Sequence, residues 1–208
     1  YTLQAVEYSI EKAGGQVVST GWAMSDFVRL GYLILAALFL GRMGLGLWRI
    51  GQLVRRGEIE RHGFFSLVWT REGHKPFSFL RFLFWSRHFE VPQEDREQIL
   101  QHELAHIRQM HSLDILLSEV AIVLLWWNPV TYFYKRALQE VHEYLADASV
   151  LKKNSVKKYG HLLLRQAQSG PSPALAHAFH SQIKKRIIMM TKTKSGRRAL
   201  LRYLPALL

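Results

Sequence analysis

Apolar and polar positions divide the 208-residue chain into blocks of different texture. From Phe27 to Ile50 it reads FVRLGYLILAALFLGRMGLGLWRI, longer than the ~20 helical residues that cross a hydrocarbon layer of ~30 Å. Arg29 and Arg42 interrupt the run near its ends, where long cationic side chains snorkel to the interface, and Leu30 to Gly41 is uncharged. Gly31, Gly41, Gly44 and Gly46 suit close packing against other membrane helices. The pattern predicts a transmembrane helix over 27–50; the competing reading is a buried helix of a water-soluble domain.

Beyond it the texture changes. HGFFSLVWT and FSFLRFLFW are short aromatic and β-branched runs parted by Arg-Glu-Gly-His-Lys-Pro, which predicts a small hairpin or edge-strand element within 58–91. Pro92-Gln93-Glu94-Asp95 then reads as a helix start with acids in its first turn, and the helix should run to about Met110. A second apolar stretch, Ile115 to Trp127, is broken by Asn128-Pro129, and a further helical pattern continues to about Val150. Residues 169–174 read as a linker, and the basic stretch Gln182 to Arg198 precedes an apolar one, Ala199 to Leu208, expected to open the next membrane helix. The chain begins at Tyr1 and stops inside that stretch, so it is expected to be a piece of a longer protein. The fold class expected is mainly α and membrane-associated, with a small β element.

Composition and charge narrow the function classes. A hydrophobic fraction of 49% without cysteine excludes a disulfide-stapled miniature, and 12% aromatic residues argue against disorder. The net charge of +12 admits nucleic acid, an anionic membrane surface or acidic partners. The apolar runs favour the membrane. Residues 1–26 carry Glu7, Glu11 and Asp26 against Lys12, a net of −2, whereas residues 135–202 hold 15 Lys plus Arg against 3 acids. By the positive-inside rule residues 1–26 are extracytoplasmic and 51–198 form a cytoplasmic domain, with 199–208 entering the bilayer again. Lys184-Lys185-Arg186 lacks the aromatic interleaving of a nucleic-acid surface and is assigned to lipid headgroups; no direct nucleic-acid partner is expected.

The chemistry lies in two segments. His102-Glu103-Leu104-Ala105-His106 places two imidazoles at i and i+4 on one helix face, able to bind one tetrahedral Zn²⁺ from the same side, with Glu103 beside them to accept a proton from water. In a chain with this many His and Glu, chance yields such a pattern with a probability of roughly 3%, so a third ligand is needed to give it weight. Glu143 and Asp147 supply one: they are also four apart, a ligand and an acceptor for a ligand histidine's other ring nitrogen. The set His102, His106, Glu143 leaves a fourth position open, as hydrolysis requires. Glu140 is the rival third ligand, but lacks an acid four residues on. If Ile115–Trp127 spanned the membrane, His102 and Glu143 would lie on opposite sides, so that stretch must be a buried core helix or a re-entrant hairpin turning at Trp127-Asn128-Pro129. The other histidines are poor ligand candidates: His111, five residues past His106, should point elsewhere, and His142 should face away from Glu143 by about 100°. His62, His74, His177 and His180 sit in loop-like sequence.

In order, ILQHELAHIRQMHSLD, WWNP, EVHEYLADASVL and FHSQIKKRIIMM resemble the membrane metallopeptidase domain of the BlaR/MecR-type antirepressors, over roughly residues 27–208. The resemblance implies a multi-pass protein of the bacterial inner membrane with a cytoplasmic gluzincin-like zinc domain. It also implies that His102, His106 and Glu143 bind zinc, that Glu103 is the general base and that Asp147 supports a ligand. The expected activity is zinc endopeptidase cleavage of a cytoplasmic repressor, or of the protein itself, to relay a signal. A housekeeping membrane protease of the prenyl-protein or quality-control type and a non-catalytic zinc-stabilised signalling module are the alternatives.

Overall fold

The computed structural model describes residues 24–168 and 173–192, with 167–168 and 173–181 as backbone only. Residues 1–23, the linker residues 169–172, and 193–208 with the expected start of a second membrane helix lie outside the described residues. The chain divides into two units, Tyr1–Leu40 and Gly41–Leu208.

Helix α1 (Met24–Arg56) begins in the first unit and ends in the second. It starts three residues before the predicted span and ends six after it. Its 33 residues rise about 50 Å, and it is long and apolar enough to cross a membrane. None of its residues is buried; Phe27, Leu33, Leu38 and Trp48 are all exposed. Among the described residues the helix is not packed as a core helix. The helix stops at Gly57, where an added Cβ would stand 2.4 Å from Val68 Cγ1 and 2.9 Å from the Leu53 carbonyl oxygen, so only glycine lets the chain pass directly into the sheet.

The second unit opens with four strands, β1 (Glu58–His62), β2 (Phe65–Thr70), β3 (Phe77–Phe79) and β4 (Phe82–Ser86). They form one mixed sheet in the order β1-β2-β4-β3. Two tight antiparallel hairpins, turning at Gly63 (φ +60°) and Leu80 (φ 52°), are joined by a parallel pairing of β2 with β4, Ser66 opposite Phe82 through Thr70 opposite Ser86. The expected hairpin is thus two hairpins side by side. β2 alternates half-buried and buried residues, as a strand covered on one face does.

Four further helices follow: α2 (Gln93–Arg108), α3 (His111–Leu124) and α4 (Pro129–Val150), in register with the sequence pattern, and α5 (Val156–Gln168), for which the sequence carried no expectation. A fifth, α6 (Pro173–Thr191), absorbs the end of the predicted linker and much of the basic stretch. α2 carries Glu94 and Asp95 in its first turn, where the helix dipole favours acids, and Asp95 also meets Arg165 of α5 at 2.6 Å. The α3–α4 turn is closed by Asn128, whose Oδ1 accepts from the Val130 N–H at 3.0 Å, with Pro129 at the first helical position. Trp85 and Leu83 from the sheet, Ile99 and Ile107 from α2, Val150 from α4 and Tyr159, Leu162 and Leu163 from α5 make the core. That core seats α2 between the sheet and α4, so the histidine pair and the Glu143 turn face each other. α3 spans only 14 residues, too few to cross a bilayer; it buries Ile122 and Val123 but exposes Leu117 and Val120.

Candidate metal centre

α2 presents His102 and His106 one turn apart on one face, and α4 brings Glu143 opposite them. The two Nε2 atoms are 3.2 Å apart. Glu143 places one carboxylate oxygen 3.6 Å from His102 Nε2 and the other 3.7 Å from His106 Nε2. A tetrahedral ion with bonds of about 2.0–2.1 Å needs donor atoms about 3.3 Å apart, so small side-chain shifts bring the three side chains onto such an ion. Two imidazole nitrogens turned toward each other and toward a carboxylate also form the donor set a metal requires. Among the described residues no other group of His, Asp and Glu converges in this way. Glu140, the rival ligand, instead pairs with Lys185 at 2.6 Å.

Behind the donors lies a second layer. His102 Nδ1 is 2.9 Å from Tyr159 Oη and 3.3 Å from Asp147 Oδ1. The Tyr159 hydroxyl donates to Asp147 Oδ1 at 2.8 Å, which leaves its lone pairs toward His102. Arg186, on α6, holds Asp147 through two nitrogens at 2.8 and 2.5 Å and reaches Glu143 Oε2 at 2.8 Å. His106 is backed differently: its Nδ1 is 2.8 Å from His111 Nδ1, and His111 Nε2 is 3.2 Å from Gln109 Oε1. The His111 ring stacks on His142 with centroids 3.9 Å apart, and His142 Nε2 meets Asp114 Oδ2 at 3.0 Å. Glu103 points to the sheet, where the Ser78 hydroxyl of β3 donates to its Oε2 at 2.8 Å.

The electrostatics follow from this packing. Burial opposes charge on His102, but hydrogen bonds to Asp147 and Glu143 outweigh it and push its pKa up to about 9. His106 moves the other way, to about 3, through burial and the neighbouring His102 charge. Burial would raise Glu143 and Asp147, yet both are held at about 2: Glu143 by its hydrogen bond to His102 and then by Arg186, Asp147 by Arg186 and then by His102. Glu103 is raised, chiefly by burial. One carboxyl is thereby pushed toward accepting a proton, while two others stay ionised beside cations.

An open cleft of about 670 Å³ runs over the centre, lined on one side by Phe77, Ser78 and Phe79. β3 ends the sheet, pairing among the described residues only with β4, and its three residues line the cleft. An extended peptide can be accommodated along such an edge.

Every residue singled out in the two segments arrives at one place: His102, Glu103, His106, Glu143 and Asp147. Two expectations need correction. His111 does not point away; Met110 adopts a left-handed backbone (φ 54°), which turns the chain and starts α3 with His111 folded back onto His106. Arg186 does not face the surface but turns inward to Glu143 and Asp147, while Lys185, half exposed, pairs with Glu140. Tyr159, Arg186 and Ser78 carried no local signal, since each reaches the site from another element. His62 and His74 lie on or beside the sheet, away from the donor cluster; the side chains of His177 and His180 are outside the described residues.

A mainly helical domain with a mixed sheet, an HExxH helix and a glutamate one helix away defines a metallopeptidase-type centre. The sequence model of the BlaR1 peptidase M56 family matches residues 86–190, a window that contains all five of these residues. The chain belongs to that family of peptidases. The match is shorter than the resemblance traced from residue 27. A comparison with curated proteins gives no match.

Proposed function

We propose that the protein is the zinc endopeptidase domain of a bacterial sensor-transducer of the inner membrane, cleaving a cytoplasmic repressor or itself to relay a signal. The observation that carries this reading is the convergence of His102, His106 and Glu143 at 3.2–3.7 Å with Glu103 alongside. His₂Glu is a catalytic rather than a structural zinc set, because it leaves a position open. When bound, zinc would polarise the scissile carbonyl and acidify water toward a pKa of about 7.

The chain's own residues divide the remaining work. Glu103, raised by burial, takes the proton of the attacking water and passes it to the leaving amine. Ser78 fixes one of its oxygens and leaves the other for that water. Asp147 and Tyr159 hold His102 so that Nε2 faces the donor cluster, and Arg186 balances the charge of the two carboxylates. His111 accepts the Nδ1 hydrogen of His106, freeing Nε2 as a ligand, and passes its own Nε2–H to Gln109. The substrate strand lies along β3. The charge asymmetry across α1 supports an outer N-terminal segment and a cytoplasmic site in a multi-pass protein.

The test is Glu103→Gln, which should keep about one zinc per chain and the fold while lowering cleavage by a factor on the order of 10² or more. The full-length protein and its candidate repressor would be followed by immunoblot with and without inducer. A variant that retains zinc and signals normally without fragments of either protein would defeat the peptidase reading. Unchanged zinc content in Glu143→Ala would remove that residue from the site.

A further inference from the structure

The tip of the α3–α4 hairpin has a surface that water does not suit. Between Glu119 and Lys135 the sequence VAIVLLWWNPVTYFY has no charge over fifteen residues. Ile122 and Val123 pack inward, but most of its large side chains are exposed: Val130 is 65% exposed and Phe133 71%, with Val120 and Tyr134 exposed beside them. Residues of this kind scattered singly need no explanation, but a contiguous set on one hairpin does.

Three further observations identify what covers it. Charge stops at one level, where Glu119 of α3 meets Lys135 of α4 at 2.5 Å and Arg42 of α1 at 3.2 Å. Arg42 is also the residue at which the uncharged run of α1 ends in the sequence. Much of the turn's backbone is paired internally: Asn128 N–H donates to Leu125 O at 2.9 Å and its Oδ1 accepts from Val130 N–H at 3.0 Å, while the Trp126 indole N–H is buried without a partner among the described residues. The Thr131 hydroxyl donates to Asn128 O at 2.7 Å and the Tyr132 hydroxyl to Trp126 O at 2.9 Å. Hydrocarbon tolerates a chain reversal only when its polar groups are paired internally. Trp127 before the turn and Tyr134 after it are 57% and 63% exposed, which extends the uncovered surface to both arms.

We infer that the α3–α4 tip inserts into the acyl layer of one leaflet, with Arg42, Glu119 and Lys135 at headgroup level. Each arm extends about 8–9 Å past that level, within the ~15 Å of one leaflet and far short of a span. Glu143 lies eight residues along α4 on the other side of Lys135, about 12 Å from the headgroups. Where the peptidase reading holds, the centre is thereby set against chain segments that run along or leave the membrane surface; the insertion itself does not depend on that reading.

The chain has no cysteine, so single-cysteine variants are direct probes. Val130→Cys and Phe133→Cys, with Lys153→Cys as an exposed reference, would be labelled with an environment-sensitive fluorophore. The whole chain would then be reconstituted in 3:1 phosphatidylcholine–phosphatidylglycerol vesicles. Labels at 130 and 133 should be quenched several-fold more by acyl-chain nitroxide lipids than by aqueous iodide, with the reverse at 153, and zinc chelation should leave that ratio unchanged. Iodide quenching at 130 and 133 equal to that at 153 would overturn the proposal. Protection from both quenchers would overturn it too, in favour of a protein cover such as a second copy of the chain.

Discussion

Helix α4 behaves in opposite ways at its two ends. Over its first turns Val130, Phe133 and Tyr134 expose large apolar surfaces, whereas three turns on Asp147 is only 1% exposed and His142 is buried. An apolar end outside and an ionised end inside invert the usual distribution. Each inversion has its own compensation. The interior carboxylate is surrounded by Arg186, Tyr159 and His102, so its charge is paired and its lone pairs are used. The exterior apolar end has pairing only for its backbone, which points to a solvent other than water. With the tip inserted as inferred above, one helix carries both ends because each half answers to a different medium.

The interior half should be the more sensitive. Arg186→Met leaves Asp147 and Glu143 without their cation and is expected to cost about 3–5 kcal/mol of stability, read by chemical denaturation in detergent. A loss below about 1 kcal/mol, the worth of an exposed ion pair, would show that the carboxylates are not shut away, and the contrast between the two ends would fall.

The next effect in size concerns the two histidines, one backed by a carboxylate and a tyrosine, the other by an imidazole. His111→Phe keeps a ring to stack on His142 but removes the acceptor for His106, and zinc affinity measured by chelator competition should fall about 10–100-fold. His111→Asn, with an oxygen near the position of Nδ1, should recover most of it. Equal weakening in both variants would mean that His111 only fills space.

The smallest effect belongs to the tip. Asn128→Ala removes the acceptor for the Val130 N–H and should cost about 1 kcal/mol in detergent, where water reaches the turn. The same substitution in bilayer vesicles should cost more, since hydrocarbon offers that N–H no replacement. Equal losses in the two media would sharpen the comparison against a lipid-covered end.

What the sequence determined by itself is whatever repeats within one helix or one turn. The i, i+4 pairs His102/His106 and Glu143/Asp147, the acids at the start of α2, the Asn128-Pro129 cap and the long apolar α1 are all local, because helical geometry ties residues three or four apart whatever surrounds them. The tertiary structure decided the rest. The parallel pairing of β2 with β4 depends on where two hairpins meet, and a single strand's residues do not encode its neighbour. The α3 run is split, Ile122 and Val123 buried and Leu117 and Val120 exposed, and that split depends on which face the core left uncovered. Tyr159 reaches His102 across 57 residues and Arg186 reaches Asp147 across 39, contacts that no periodicity records. His111 was lost to a nearer cause: one left-handed residue, Met110, reverses the chain and turns a side chain that helical spacing would send away back onto the ligand it supports.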